Sequence, residues 1–380
     1  MELPCVYNDV KFSLLYSYRN KEDIYVISSK SGNANYFCKA SAVVPIFETL
    51  ELFDGTRSVK EIEQLVAEKY PGVVSTKLVS KLAASKFVIG NTSDGLTNEL
   101  NRNSLSIVKF NISKLGNIHP KISKVLYKSF CLLLFISLIL IVYLSLCGKI
   151  NITDYFQYAQ KESYIEELLW VMILEIPCMI LHETAHIIVG LNYQCPPQTL
   201  GFSLYFYFFP MYYILTPGIY LLSRKDRLKY HCAGIGANFI AYSVLSLVAV
   251  INGNNIFYIA AFSNLQLIVI NLVPFNLSDG YFISSALLKK INLRLHFLNL
   301  ITFQDKWSNF DLSVKMYSIL SFIYIIILSA NITFWIQDFV IDGLSNIAVT
   351  IIITASITGI ILLFVNLRTK LELKKKSRFS

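Results

Sequence analysis

Charge is scarce in this chain. Of 380 residues only 16% are Asp, Glu, Lys or Arg, while 54% are hydrophobic. Ordinary soluble domains carry about a quarter charged residues, so a single water-exposed globule is excluded as the whole of it. Histidine is rarer still, at five residues, which makes any pair at a chemically meaningful spacing informative. The seven cysteines (5, 38, 131, 147, 178, 195 and 232) include no C-x-x-C pair, and several sit inside apolar runs. They read as small buried hydrophobes, against a disulfide framework or a zinc knuckle. The net charge is +9, yet no basic stripe alternates with base-stacking aromatics, so no nucleic-acid partner is expected. The first thirty residues are mixed polar and β-like rather than a cleavable signal peptide, and the N-terminus is expected in the cytoplasm.

Long apolar runs are what the chain has in abundance. Spans are expected at about 129–148, 165–190, 232–251, 256–273, 314–335 and 344–365, each long enough to cross a hydrocarbon core. The run 200–222 is also uncharged, but it holds Pro210, Pro217 and Gly218 and is dominated by Phe and Tyr, which are strand and turn formers. It reads as a β-hairpin dipping into the membrane, where its backbone must be buried in protein or line a cavity. With that run left uncounted, every basic cluster falls on one side of the bilayer. The clusters are Arg102, Lys109, Lys114, Lys121, Lys124 and Lys128, then 224–229, 289–294 and the tail 367–380. The expected fold class is therefore an α-helical polytopic membrane protein of about six transmembrane helices with a membrane-associated β-hairpin. It would lie in the cell membrane, in contact with the lipid bilayer, with both termini cytoplasmic.

Inside the second run stands His182-Glu183-Thr184-Ala185-His186. On a helix, residues four apart share a face, so both imidazoles can reach one ion, with Glu183 beside the first as a general base. A second signal ends the fourth run, Asn271-Leu272-Val273-Pro274-Phe275-Asn276-Leu277-Ser278-Asp279-Gly280. Together these resemble the site-2 protease family of membrane-embedded zinc metalloproteases. The resemblance implies one Zn2+ ion held by His182, His186 and Asp279, with a fourth position open for water, and Glu183 as the catalytic base. Ser278 departs from the family's usual Leu. Asn271 matches the family's Asn and would position substrate, or serve as interhelical glue. The segment 233–238 resembles the family's small-residue element, and Asn238 is taken as structural. Glu175, an intramembrane carboxylate, is expected paired or protonated. His119, His231 and His296 are expected in solvent.

Residues 1–95 read as a small winged-helix-like α+β domain: strands near 11–18, 23–28 and 34–39, then three short helices. Ser41 is expected to cap the first. Ser58-Val59-Lys60-Glu61 is a capping box for the second, and Ser75 begins the third. The order, and Asp54-Gly55-Thr56-Arg57-Ser58-Val59-Lys60-Glu61-Ile62, resemble the PqqD-like domains that bind peptide precursors. The resemblance implies that a leader peptide adds as a strand against Ala34, Asn35, Tyr36, Phe37, Cys38 and Lys39. A basic linker (96–128), the membrane metalloprotease domain (129–366) and a basic tail (367–380) would follow. The expected function is a zinc endopeptidase that matures a ribosomally made, bacteriocin-like peptide precursor, with a peptide-modifying enzyme or transporter as a further partner. Two alternatives stand beside it. One is a regulatory site-2 protease cutting a membrane-tethered signalling protein. The other is a non-catalytic zinc-binding export or immunity component.

Overall fold

A computed structural model describes residues 3–18, 22–89, 104–150, 164–205, 209–272, 278–301 and 306–340. It divides into two compact units, Met1–Ile268 and Val269–Ser380.

The first unit opens with an antiparallel meander, β1 (Lys11–Tyr16), β2 (Ile24–Ser29) and β3 (Ala34–Lys39). Three helices follow: α1 (Ala40–Glu51), α2 (Val59–Lys69) and α3 (Thr76–Ala83). The central strand β2 turns Ile27 inward, where it meets Ile46, Leu50, Phe53, Ile62 and Leu82, all nearly or fully buried. On α2, Ile62 and Val66 stand one turn apart and make its core face. The capping box is present in full, since Ser58 accepts from the Glu61 backbone and the Glu61 carboxylate takes the Ser58 N–H at 2.7 Å. Ser58→Ala should therefore cost about 1 kcal/mol, read as a lower unfolding midpoint. Ser75 caps α3 as expected. Ser41 does not cap α1. That helix begins at Ala40 straight out of β3, and the Ser41 N–H is taken instead by the Glu22 carboxylate at 2.6 Å. A carboxylate from the loop before β2 does the work that local sequence assigns to the serine hydroxyl.

Among the described residues four helices are long and apolar enough to cross a membrane, which makes this a helical membrane protein: α4 (Pro120–Leu146), α5 (Tyr164–Asn192), α6 (Arg224–Asn252) and α7 (Asn255–Leu272). The most apolar windows of α4 and α6 are 17% and 67% buried respectively, so α6 is the inner helix and α4 shows most of its side chains outward. Phe135, Ile136 and Ile139 of α4 are more than half exposed, a face that needs hydrocarbon rather than water around it. Small residues let α5 and α6 approach closely: Ala185 and Val189 pack with Ala233 and Ala237. The first span begins earlier than its apolar run, at Pro120, because Lys121, Lys124 and Lys128 continue the helix.

The expected hairpin is present as β5 (Thr199–Tyr205) and β6 (Phe209–Leu215), paired Leu200 to Ile214 and Gly201 to Tyr213. It carries a third strand. Ser104–Asn111, inside the segment read as a linker, is a strand (β4) that pairs antiparallel with β5. Gly201 leaves room for the Tyr213 ring across the pair, since a Cβ there would come 2.1 Å from it. Beyond the sheet, Arg227 at the root of α6 is 2% exposed. It donates to the carbonyls of Tyr220 and Leu222, and across to Leu15 of β1 at 3.2 Å. Phe37 of β3 meets the Tyr220 ring edge-on at 5.0 Å. The N-terminal sheet is thus tied to the base of α6.

In the second unit, α8 (Asp279–Leu288), α9 (Leu293–Ile301) and α10 (Leu312–Val340) surround a core of Tyr281, Leu293, Phe297, Val314, Tyr317 and Ile325. α10 covers the fifth expected span, 314–335, but its described apolar stretch, Leu312–Ile327, is shorter than the four membrane-length helices. The sixth, 344–365, and the tail 367–380 lie outside the described residues.

Candidate metal centre

The two motif histidines project from α5 four residues apart, and their Nε2 atoms stand 3.4 Å from each other. His186, 6% exposed, has its Nδ1 2.9 Å from the backbone carbonyl oxygen of Tyr230. A carbonyl can only accept, so this Nδ1 carries the proton and Nε2 presents its lone pair. His182 is set the same way, with Nδ1 3.2 Å from Asn238 Oδ1. Both acceptors come from α6, about two turns apart. Each ring is therefore locked in the tautomer a metal ligand requires, as outer partners of metal-bound histidines usually do.

Two lone pairs aimed at one point repel unless a cation lies between them. Two nitrogens bound to one tetrahedral zinc at about 2.0–2.1 Å stand about 3.3 Å apart, close to the observed 3.4 Å. The space for this is made by Gly234. A Cβ at that position would fall 2.4 Å from His182 Nε2 and 2.6 Å from His186 Nε2. The donor pair fits zinc.

Part of the chain is similar to a curated bacterial protein. Over 127 residues it is 31% identical to the Bacillus subtilis (strain 168) protein named "Putative peptide zinc metalloprotease protein YydH". The similarity covers 32% of this chain and 49% of that relative, so the chain spans about half the length of the curated relative it matches. No family model and no solved structure matches the chain.

Glu183, the expected base, is half-buried and follows His182 directly on α5. In the second unit, Asp279 is the half-buried first residue of α8, behind Ser278 in extended conformation. Gly280 explains the Asp-Gly pair: a Cβ on it would lie 2.2 Å from the Leu272 carbonyl oxygen, so α8 starts hard against the end of α7. Asn271 is half-buried in the last turn of α7; the stretch 273–277 lies outside the described residues. In the N-terminal sheet, Ala34 is buried, Asn35 through Cys38 are half-buried and Lys39 is exposed. Burial pushes the Cys38 thiol up to about 11, and that of Cys195 likewise to about 11, so both stay protonated at neutral pH and neither is poised as a nucleophile.

Two sequence readings change. His231 is not in solvent: it is 8% exposed and its ring meets Tyr230 edge-on at 5.3 Å. Asn238 does more than fill space, because it orients His182. Its place in the small-residue segment 233–238 was a usable signal, since an amide there is the one side chain able to accept a hydrogen bond. The Tyr230 carbonyl left no signal, because every residue has one. Asn238→Ala should weaken metal affinity about 10–100-fold, measured by competition with a chromophoric chelator, with the helical content unchanged.

Proposed function

We propose that this chain is a membrane-embedded zinc endopeptidase of site-2 type. The observation that carries the reading is the facing pair of Nε2 atoms, each set by a hydrogen bond on the far side of its ring. The similarity to a protein named as a peptide zinc metalloprotease supports it. With Asp279 as the third ligand, as the site-2 resemblance implies, the donor set would be two histidines and one carboxylate. Three protein ligands are the number found in catalytic rather than structural zinc sites. A zinc ion held there would supply Lewis acidity toward the scissile carbonyl. Glu183 takes a proton from the attacking water as the water oxygen bonds to the carbonyl carbon. It then delivers that proton to the amide nitrogen as the C–N bond breaks. Asn271 positions substrate.

The substrate we infer is a ribosomally made peptide precursor, cut during maturation or export, and the region 1–95 is its PqqD-like receptor. Among the described residues β3 has one strand neighbour, β2, so its other edge has backbone groups to offer an added strand. Holding the leader there would raise the effective concentration of the cleavage site at the histidines. An intact base beside the ligand pair favours this over a non-catalytic zinc-binding role, which has no use for Glu183. Metal analysis of the purified full-length protein tests the centre. One zinc per chain is expected, falling to none in His186→Ala; a metal-free wild type would sink the reading.

A further inference from the structure

Away from the histidines, one buried polar pair has unfilled hydrogen-bond capacity. Glu175 lies on α5, seven residues before His182, and is 9% exposed; Asn264 lies on α7 and is fully buried. The Asn264 amide donates from Nδ2 to Glu175 Oε2 at 3.2 Å. The other oxygen of each group, Glu175 Oε1 and Asn264 Oδ1, is buried and has no partner. Both orphans are acceptors when Glu175 is ionised, and neither can satisfy the other. The Ser263 hydroxyl also hydrogen-bonds the Glu175 carboxyl, while the neighbouring Cys178 thiol donates to the Leu174 carbonyl. Among the described residues no cationic side chain acts on this carboxyl, and a carboxylate without a cation inside a membrane helix is costly.

One proton removes both defects. On Glu175 Oε1 it becomes a donor, and the acceptor that lacks one is Asn264 Oδ1. We propose that Glu175 is a proton-binding site filled at neutral pH, and that its acid form closes a ring of two hydrogen bonds with the Asn264 amide, fastening α5 to α7. Glu175 is then a positioning residue: it holds α5, the helix that bears both histidines, against α7. Nothing in this argument depends on zinc or on peptide hydrolysis, and its test reads neither.

The test is infrared difference spectroscopy on the full-length protein in lipid at neutral pH, wild type against Glu175→Gln. A protonated-acid C=O band present in the wild type and missing in Glu175→Gln is expected; its absence from the wild type overturns the proposal. In Asn264→Leu the band should move to higher wavenumber, as an acid that has lost its partner does, and an unmoved band means Asn264 is not that partner. Glutamine offers the same donor and acceptor as the neutral acid. Glu175→Gln should therefore keep the wild-type unfolding midpoint while Glu175→Ala lowers it. Equal loss in both variants would overturn the ring.

Discussion

Glu183→Gln is expected to retain the metal and lose cleavage. Glutamine keeps the size of the side chain and its place next to His182, but it cannot accept a proton from water or return one to a leaving amine. Removing a positioned general base lowers rates by about 10²–10⁴-fold. The measurement pairs zinc content with processing of a co-expressed precursor peptide in membranes, so that a lost metal and a lost base give different results. Full zinc with full processing would remove Glu183 from the chemistry, and with it the peptidase reading.

Gly234→Ala should do the reverse, leaving the helices in place and emptying the centre. The added methyl would sit 2.4 Å from His182 Nε2 and 2.6 Å from His186 Nε2. Something must yield, and the ends of two side chains move more readily than the backbones of two packed helices. The atoms that move are the proposed ligand atoms themselves. We expect loss of zinc at micromolar free metal, with the circular dichroism of the wild type. Retained zinc would mean that α6 does not approach α5 as closely as described. Gly236, two residues on, is the control: its nearest neighbours are side-chain carbons of Leu134 and Phe130 at 3.1 and 3.4 Å, so Gly236→Ala should cost some packing and no metal.

Much of the architecture was readable because its signals are local. Hydropathy marks a span from its own residues, and Ser58 with Glu61 marks a helix start from four consecutive positions. Readings failed where a partner lay far along the chain. Ser41 looks like a cap until Glu22 reaches its backbone first. The segment Ser104–Asn111 looks like linker because the strand it pairs with, Thr199–Tyr205, lies past two membrane helices. His231 follows a run of basic residues and so looks solvent-facing, but α6 is the inner helix and buries it.

The amino-acid order alone determined that two imidazoles share one helical face with a carboxylate beside the first, because a 3.6-residue period brings positions four apart together. What it left open is which nitrogen of each ring holds the proton and whether the two remaining nitrogens point at each other. Those were decided by Asn238, 56 residues from His182, and by the Tyr230 carbonyl, 44 residues from His186. A metal centre needs side chains aimed to within a few tenths of an ångström, and that aim comes from how one helix packs on another, which no local pattern encodes.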